Sequence, residues 1–246
     1  MLKIALIGYG NMGKLVNKLA SKNGVKIVNK IDPVELGTEL NAENLEGAEV
    51  CIDFSLPTVV VDNLSIIADS GIDTVIGTTG WYDRMDRVKE IAAKSEIGIV
   101  YGSNFSVGMN LFFDIVNLAS AKISEITQYD VYGLEKHHKK KADSPSGTAK
   151  QLADIILNNF KEKTVKQYDR LNRQIKENEF HFASVRAGSN PGEHEITFDS
   201  NADFITLKHA ARSRAGFALG AIAAAKWIKH RTGLYNFNKN FYDIIK

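Results

Sequence analysis

The chain has 246 residues, 44% of them hydrophobic, and 31 Lys+Arg stand against 29 Asp+Glu for a formal net charge of +2. That length and apolar content suit one large core or two modest ones and exclude a disordered chain. The near-balance of charge argues against nucleic-acid binding, the single cysteine excludes an internal disulfide, and the longest apolar run, residues 215–225, is too short to span a bilayer.

The opening residues MLKIALIGYG lack the long apolar stretch and small-residue cleavage site of a signal peptide, so the cytoplasm is the expected compartment. Residues 3–7 form a short apolar run that stops at Gly8. Met12, Leu15, Val16, Leu19 and Ala20 then recur at helical spacing as far as Asn23 and Gly24. This is strand, glycine turn, helix. Within the turn, GYGNMG places Gly8, Gly10 and Gly13 at the GxGxxG spacing. A tight βα turn alone accounts for glycines, but a strand before and a helix after make the segment a dinucleotide site. The first glycine permits the turn, the second lets backbone approach a pyrophosphate, and the third allows close helix packing.

A second strand, residues 26–31, ends at Asp32, about 20 residues beyond the motif, where a carboxylate can accept bonds from a ribose diol. The same charge repels a ribose phosphate, and Pro33 follows where an arginine would otherwise pair with one. NADH is therefore the preferred cofactor over NADPH, with nearby Lys30 as the residue able to reverse that preference. The alternation continues with strands at 50–54, 74–76 and 97–101 and helices at 59–70 and 83–94, which predicts a doubly wound parallel sheet. Residues 32–49 are too few and too polar for a full helix, so that crossover is abbreviated. In such a sheet the ligand lies beyond the carboxyl ends of the strands. Those ends read Phe54-Ser55, Gly77-Thr78-Thr79-Gly80 and Gly102-Ser103-Asn104-Phe105; each alone is an ordinary turn, but their common location makes them cofactor-lining.

After Ser103 the texture changes. Residues 108–123 read as one amphipathic helix, and strand-like runs at 127–134, 180–186, 195–199 and 204–209 favour a second, mixed or antiparallel sheet. Residues 161–176 look like a solvated insertion, Cys51 like a core residue and Trp227 like helix packing. The Ala-rich helix at 215–230 and the tail after it return to the first domain. The fold class is α/β: a Rossmann-like doubly wound parallel sheet plus a smaller α+β domain with a mixed sheet. Residues 1–104 and 215–246 make the dinucleotide domain, and residues 105–214 the substrate domain.

The segment EKHHKKKADSPSGTA, residues 135–149, sets two histidines and a lysine triplet against the start of a helix. Imidazoles supply protons near neutral pH, ammonium groups attract negative charge, and the N–H groups of Ser146, Gly147 and Thr148 can cradle a carboxylate. A lysine run is often only a solvated loop. A metal is not expected, because the chain has a single cysteine and no HExxH spacing. The positive charge is local, so a small anion is the fitting ligand. With a hydride carrier in the other half, adding hydride to a conjugated imine builds charge that a nearby acid quenches.

Taken with GYGNMG, DFS at 53–55, VIGTTGW at 75–81, SNFSVGMN at 103–110, VRAGSNPGEHEITF at 185–198 and HAARSRAGFALGAIAAAKWI at 209–228, this segment resembles the dihydrodipicolinate (4-hydroxy-tetrahydrodipicolinate) reductase family over nearly the whole chain. The resemblance implies NAD(P)H-dependent reduction of 4-hydroxy-tetrahydrodipicolinate to tetrahydrodipicolinate in lysine and diaminopimelate biosynthesis. It implies His137 as proton donor and Lys141 as a second donor, with spacing selecting Lys141 over Lys139 and Lys140. His138, Ser146, Gly147 and Thr148 would hold the dicarboxylate. Gly8, Tyr9, Gly10, Asn11, Met12, Gly13, Asp32, Gly77, Thr78, Thr79, Gly102, Ser103, Asn104 and Phe105 would contact the cofactor. A homotetramer joined through the second domain's sheet is also implied, without membrane or nucleic-acid partners. Glu135 and Asp143 would brace the loop, and Arg214 would act as a hinge or support the site, or else form a surface ion pair. Asn11 and Met12 stand where many members of that family carry an arginine, which supports NADH.

Two rival functions share parts of this pattern. A dehydrogenase of another small amino or keto acid, such as aspartate, keeps GYGNMG but has no need of HHKKK beside SPSGT. A non-catalytic dinucleotide-sensing regulator dispenses with proton donors altogether.

Overall fold

The structure is a computed structural model that describes residues 1–246. It divides into two compact units, Met1–Val107 with Arg214–Lys246, and Gly108–Ser213. The sequence puts the first boundary after residue 104. The structure keeps the following residues with the first unit because Phe105 is buried in its core, with its ring centroid 4.5 Å from that of Phe237.

In chain order the first unit contains β1 (Leu2–Ile7), α1 (Asn11–Ala20), β2 (Val25–Ile31), β3 (Val50–Asp53), α2 (Val60–Asp69), β4 (Asp73–Ile76), α3 (Met85–Lys94) and β5 (Gly98–Tyr101). Helix α1 turns Gly13, Val16 and Ala20 inward and leaves Lys14 and the Lys18 side outward, as a 3.6-residue period requires. Between Asp32 and Glu49 the chain makes only a short 3₁₀ turn at Glu43–Leu45, whose Leu45 plugs the core beside Ile31 and Cys51. The abbreviated crossover follows from that polar composition.

Helix α4 (Val107–Ile123) leads into the second unit, which continues with β6 (Asp130–His137), α5 (Gly147–Asn159), β7 (Val165–Gln167), β8 (Glu179–Arg186), β9 (Glu193–Asp199) and β10 (Phe204–Ala210). Its sheet runs β10-β9-β6-β8-β7. β6 pairs antiparallel with β9 and parallel with β8, so the sheet is mixed. Helices α4 and α5 cover one face with Phe112, Phe113, Val116, Leu152 and Ile156, meeting Phe180, Phe182 and Phe198 from the strands. Truncating one of these buried phenylalanines to alanine costs about 3–5 kcal/mol.

The chain then returns to the first unit as α6 (Ala215–Ile228), β11 (Gly233–Asn236) and α7 (Phe241–Ile245). Ala218, Ala221, Ala224 and Ala225 are all buried, which lets α6 pack closely on its neighbours. Every pairing in the first sheet is parallel, in the order β11-β5-β4-β3-β1-β2. Strand order reverses between β1 and β3, and a crevice opens at such a reversal.

Three local expectations change. Residues 161–176 are not simply a solvated insertion: β7 pairs with β8, and buried Lys163 donates to the Glu177 carbonyl at 2.8 Å and pairs with Asp130 at 2.5 Å. β11 adds an edge strand beside β5, where sequence shows only a tail. β6 starts at Asp130 and runs through His137, and β9 starts at Glu193, so both His137 and His194 lie within strands.

Candidate active site

The first unit gathers its strand ends into one mouth. Gly8 follows β1 with φ +84°, and a Cβ there would lie 2.5 Å from the Phe54 carbonyl oxygen, so only glycine makes this turn. A Cβ on Gly13 would lie 2.3 Å from the Gly8 carbonyl oxygen, which is how closely α1 sits on the turn. At Gly10, the N-cap of α1, a Cβ would meet nothing within 4 Å. Bare backbone, open space and a helix start coincide there, which fits a pyrophosphate.

Asp32 has a second task. Its carboxylate accepts from the backbone N–H of Tyr9 at 2.7 Å, Val34 at 3.0 Å and Glu35 at 2.9 Å, tying the glycine turn to the end of β2. Burial alone would raise its proton affinity, but the N–H bonds from Glu35, Tyr9 and Val34 outweigh it and hold the group below its ordinary range. The ionised oxygens keep lone pairs for a diol. Asn17 donates to the Tyr9 hydroxyl at 2.8 Å, and the Lys30 ammonium lies 5.2 Å above the Tyr9 ring. Asn11 is exposed at the start of α1, while Met12 packs on the core.

At the next strand ends, buried Asp53 accepts from Ser55 N–H at 2.7 Å, Asn63 Nδ2 at 3.1 Å and Thr78 Oγ1 at 3.1 Å. Burial pushes this carboxyl upward, against the pull of those bonds. The Thr78 side chain is therefore occupied in joining β3 to β4, and its carbonyl accepts the Trp81 indole N–H at 2.8 Å. Gly77 lies beneath the Phe54 ring, leaving no room for a side chain. Thr79 and Ser103 are exposed, whereas Gly102, Asn104 and Phe105 are buried. Asn104 Oδ1 accepts the Ser106 N–H at 2.9 Å. Thus Gly8, Gly10, Asp32, Thr79 and Ser103 share one rim, while the Thr78, Asn104 and Phe105 side chains serve the scaffold.

The second unit holds the histidine cluster. Strand alternation turns Val131, Gly133, Glu135 and His137 to the buried face of β6. Glu135 is 0% exposed, and an ionised carboxylate survives there only with partners. Its Oε1 accepts from Ser146 N–H at 3.0 Å, Ser184 Oγ at 2.8 Å and Arg186 at 2.7 Å. Its Oε2 accepts the Ser146 hydroxyl and faces two imidazoles, His137 Nδ1 at 3.3 Å and His194 Nε2 at 3.4 Å. Burial works to raise this carboxyl, but His137, His194, Ser146 and Arg186 together hold it far below the carboxylate range. His194 shifts down, chiefly because it is buried, with His137 and Lys141 adding repulsion against the pull of Glu135. It is thereby kept neutral.

The rings of His137 and His194 meet edge to face at 5.1 Å. Gly192 sits over them: a Cβ there would lie 3.1 Å from His137 Nε2, so its absence leaves space on that side. His138 follows the strand, its N–H donating to the Asn190 carbonyl at 2.9 Å. Lys141 is half-buried and pairs with Asp143 at 2.7 Å, while Lys139 and Lys140 are exposed. Asp143 is held low by that ammonium in spite of partial burial. Ser146 caps α5, its hydroxyl accepting the Ala149 N–H at 3.1 Å. The Ser146 N–H and O–H both serve Glu135, so neither is left for the carboxylate that the sequence reading assigned to Ser146. No atom would meet a Cβ on Gly147 within 4 Å.

Sequence reading missed His194, Ser184 and Arg186. They reach the cluster through pairing of β6 with β9 and β8, which no local pattern announces. The ligand atoms of Glu135, His137 and His194 lie within 4.8 Å of one another. A metal there would compete with Arg186 and the Ser146 and Ser184 hydroxyls for the one carboxylate, and would face a guanidinium. The trio suits proton handling instead.

Comparison with known proteins agrees with this geometry. The family model for the dihydrodipicolinate reductase N-terminus matches residues 2–105, and that for its C-terminus matches residues 108–241. A 4-hydroxy-tetrahydrodipicolinate reductase of Christiangramia forsetii is 36% identical over 245 residues, covering 100% of both chains. One from Archaeoglobus fulgidus is also 36% identical, covering 92% of this chain and 94% of its own. The solved structure of a dipicolinate-bound dihydrodipicolinate reductase from Paenisporosarcina sp. TG-14 superposes with a TM-score of 0.78 at 22% identity, covering 97% and 99% of the two chains, and shares the fold. No helix is long and apolar enough to cross a membrane.

Proposed function

The chain belongs to the dihydrodipicolinate reductase family, and from that premise we propose how its residues divide the reaction. It is an NAD(P)H-dependent 4-hydroxy-tetrahydrodipicolinate reductase of lysine and diaminopimelate biosynthesis. Neither the amino-acid dehydrogenase reading nor the sensor reading accounts for a complete proton-donor cluster.

Reduced nicotinamide, when bound, supplies the hydride. The overall change consumes one proton and releases one water. Gly8, Gly10 and Gly13 with the start of α1 receive the pyrophosphate, and Asp32 takes the ribose diol, which favours NADH over NADPH. Tyr9, Asn11 and Met12 flank that contact, and the strand-end segments with Gly77, Thr78, Thr79, Gly102, Ser103, Asn104 and Phe105 line it. His138, Gly147 and Thr148 hold one substrate carboxylate, with Ser146 shaping the helix start. His137 delivers the proton, and Lys141 lies beside it as a second donor and counter-charge.

The observation that carries this reading is the buried cluster of Glu135, His137 and His194 at the start of α5. Its test is NADH oxidation on addition of freshly generated 4-hydroxy-tetrahydrodipicolinate, with aspartate as the control. Turnover with the first alone supports the reading; turnover with neither, or only with aspartate, overturns it.

A homotetramer goes with the same reading. Exposed Tyr132 and Val185 lie on the sheet face opposite the helices, as strand alternation dictates, and apolar groups there favour association. A monomer by sedimentation would refute it. A cytoplasmic location completes the proposal.

A further inference from the structure

Glu135 has more partners than a loop brace needs. Arg186, Ser184 and the Ser146 amide already satisfy Oε1. Oε2 is aimed at two imidazoles, with His137 two residues along the same strand face and His194 opposite on β9. His137 therefore has a carboxylate against Nδ1 at 3.3 Å and, at Nε2, the clearance left by Gly192. Nδ1 makes no hydrogen bond to any other group, so Glu135 Oε2 is the acceptor within reach of an Nδ1–H. The other groups facing the pair are Arg186 from β8, Ser146 from α5 and Lys141 from the following loop, while His209 from β10 is itself held down by burial and by His194.

We propose that Glu135 is the positioning residue of His137: its carboxylate, fixed by Arg186, Ser184 and Ser146, holds the Nδ1 proton and leaves Nε2 as the atom that delivers. In the step, the His137 Nε2–H bond breaks as a C–H bond forms on the substrate ring. The imidazole left behind is neutral, with its remaining proton on Nδ1 towards Glu135, and solvent restores the other. The electron pair for reduction comes from reduced nicotinamide, so the step needs no further reactant. This inference rests on the reductase reading and assigns the atom that carries the proton.

The test is a double-mutant cycle of Glu135→Gln and His137→Ala, read as kcat and KM separately. Glu135→Gln alone should lower kcat by about 10² or more with KM changed only a few-fold, in line with carboxylate-oriented histidines elsewhere. In the His137→Ala background the same substitution should change kcat little, because the two act as one unit. An equal multiplicative loss in both backgrounds, or a rise in KM at unchanged kcat, would reduce Glu135 to a brace. Glu135→Gln leaves Arg186 without its carboxylate and can fail to fold, so a second measurement uses the wild type. Nitrogen NMR of neutral His137 should show the proton on Nδ1; a proton on Nε2 overturns the proposal. Absent turnover by the wild type would instead strike at the reductase reading, and the NMR result would still decide the pairing.

Discussion

His194 stands directly across the antiparallel β6–β9 pairing from Glu135, with its Nε2 3.4 Å from the carboxylate. Two strands distant in sequence thus place a neutral imidazole and an anionic carboxylate on one buried face, and the sheet register fixes the position of the His137 imidazole beside them.

That burial has a pH signature. The folded state depresses the proton affinity of His194, so its contribution to stability is present above the unfolded value of about 6.5 and is lost as pH falls through the lower folded value. Urea midpoints at neutral pH and at about pH 5 should fall further for the wild type than for His194→Gln, which keeps an N–H for Glu135 but cannot titrate. Equal losses would show that His194 is not held neutral.

The lysine triplet should separate cleanly. Lys141 is half-buried and paired with Asp143, whereas its two neighbours project outward. Lys141→Ala should lower kcat/KM for the ring substrate by about 10-fold or more, the loss of a charge-assisted contact. Lys139→Ala with Lys140→Ala should stay within about twofold. Steady-state kinetics at saturating NADH would expose the reverse order.

Asp32 joins cofactor choice to the glycine turn. Asp32→Ser removes the diol acceptor and leaves the Tyr9, Val34 and Glu35 N–H groups without their carboxylate. NADH kcat/KM should drop by about 10-fold or more, and the NADPH-to-NADH ratio should rise. A wild type that already favours NADPH strongly would refute the assignment.

A structural carboxylate offers an independent check on the second unit. Arg173 forks onto Glu179, and that bond, with the Lys176 N–H, lowers the Glu179 carboxyl to about 2. Its stabilisation is complete above the unfolded value of about 4.3 and disappears as pH falls through about 2. Glu179→Gln should therefore be less stable than the wild type at neutral pH, with the gap closing in acid. A gap that persists undiminished at the acid end would contradict this.

Local chemistry made much of the molecule legible. The glycine turn, the βα alternation and the short crossover after Asp32 all follow from residues adjacent in sequence, and the HHKKK segment shows its acids and ammonium groups together. β7 and β11 escaped because three- and four-residue edge strands carry no period. Ser184, Arg186 and His194 escaped because register between distant strands brings them to Glu135. Ser146 shows a subtler limit: its amide and hydroxyl look available in sequence, yet a carboxylate eleven positions earlier claims both.

The central claim is that His137 supplies the proton in reduction of 4-hydroxy-tetrahydrodipicolinate. The most direct measurement is kcat of His137→Ala with that substrate and saturating NADH, alongside NADH affinity in the absence of substrate. The account predicts a fall in kcat of about 10² to 10⁴ with NADH affinity unchanged. Turnover at the wild-type rate would contradict it.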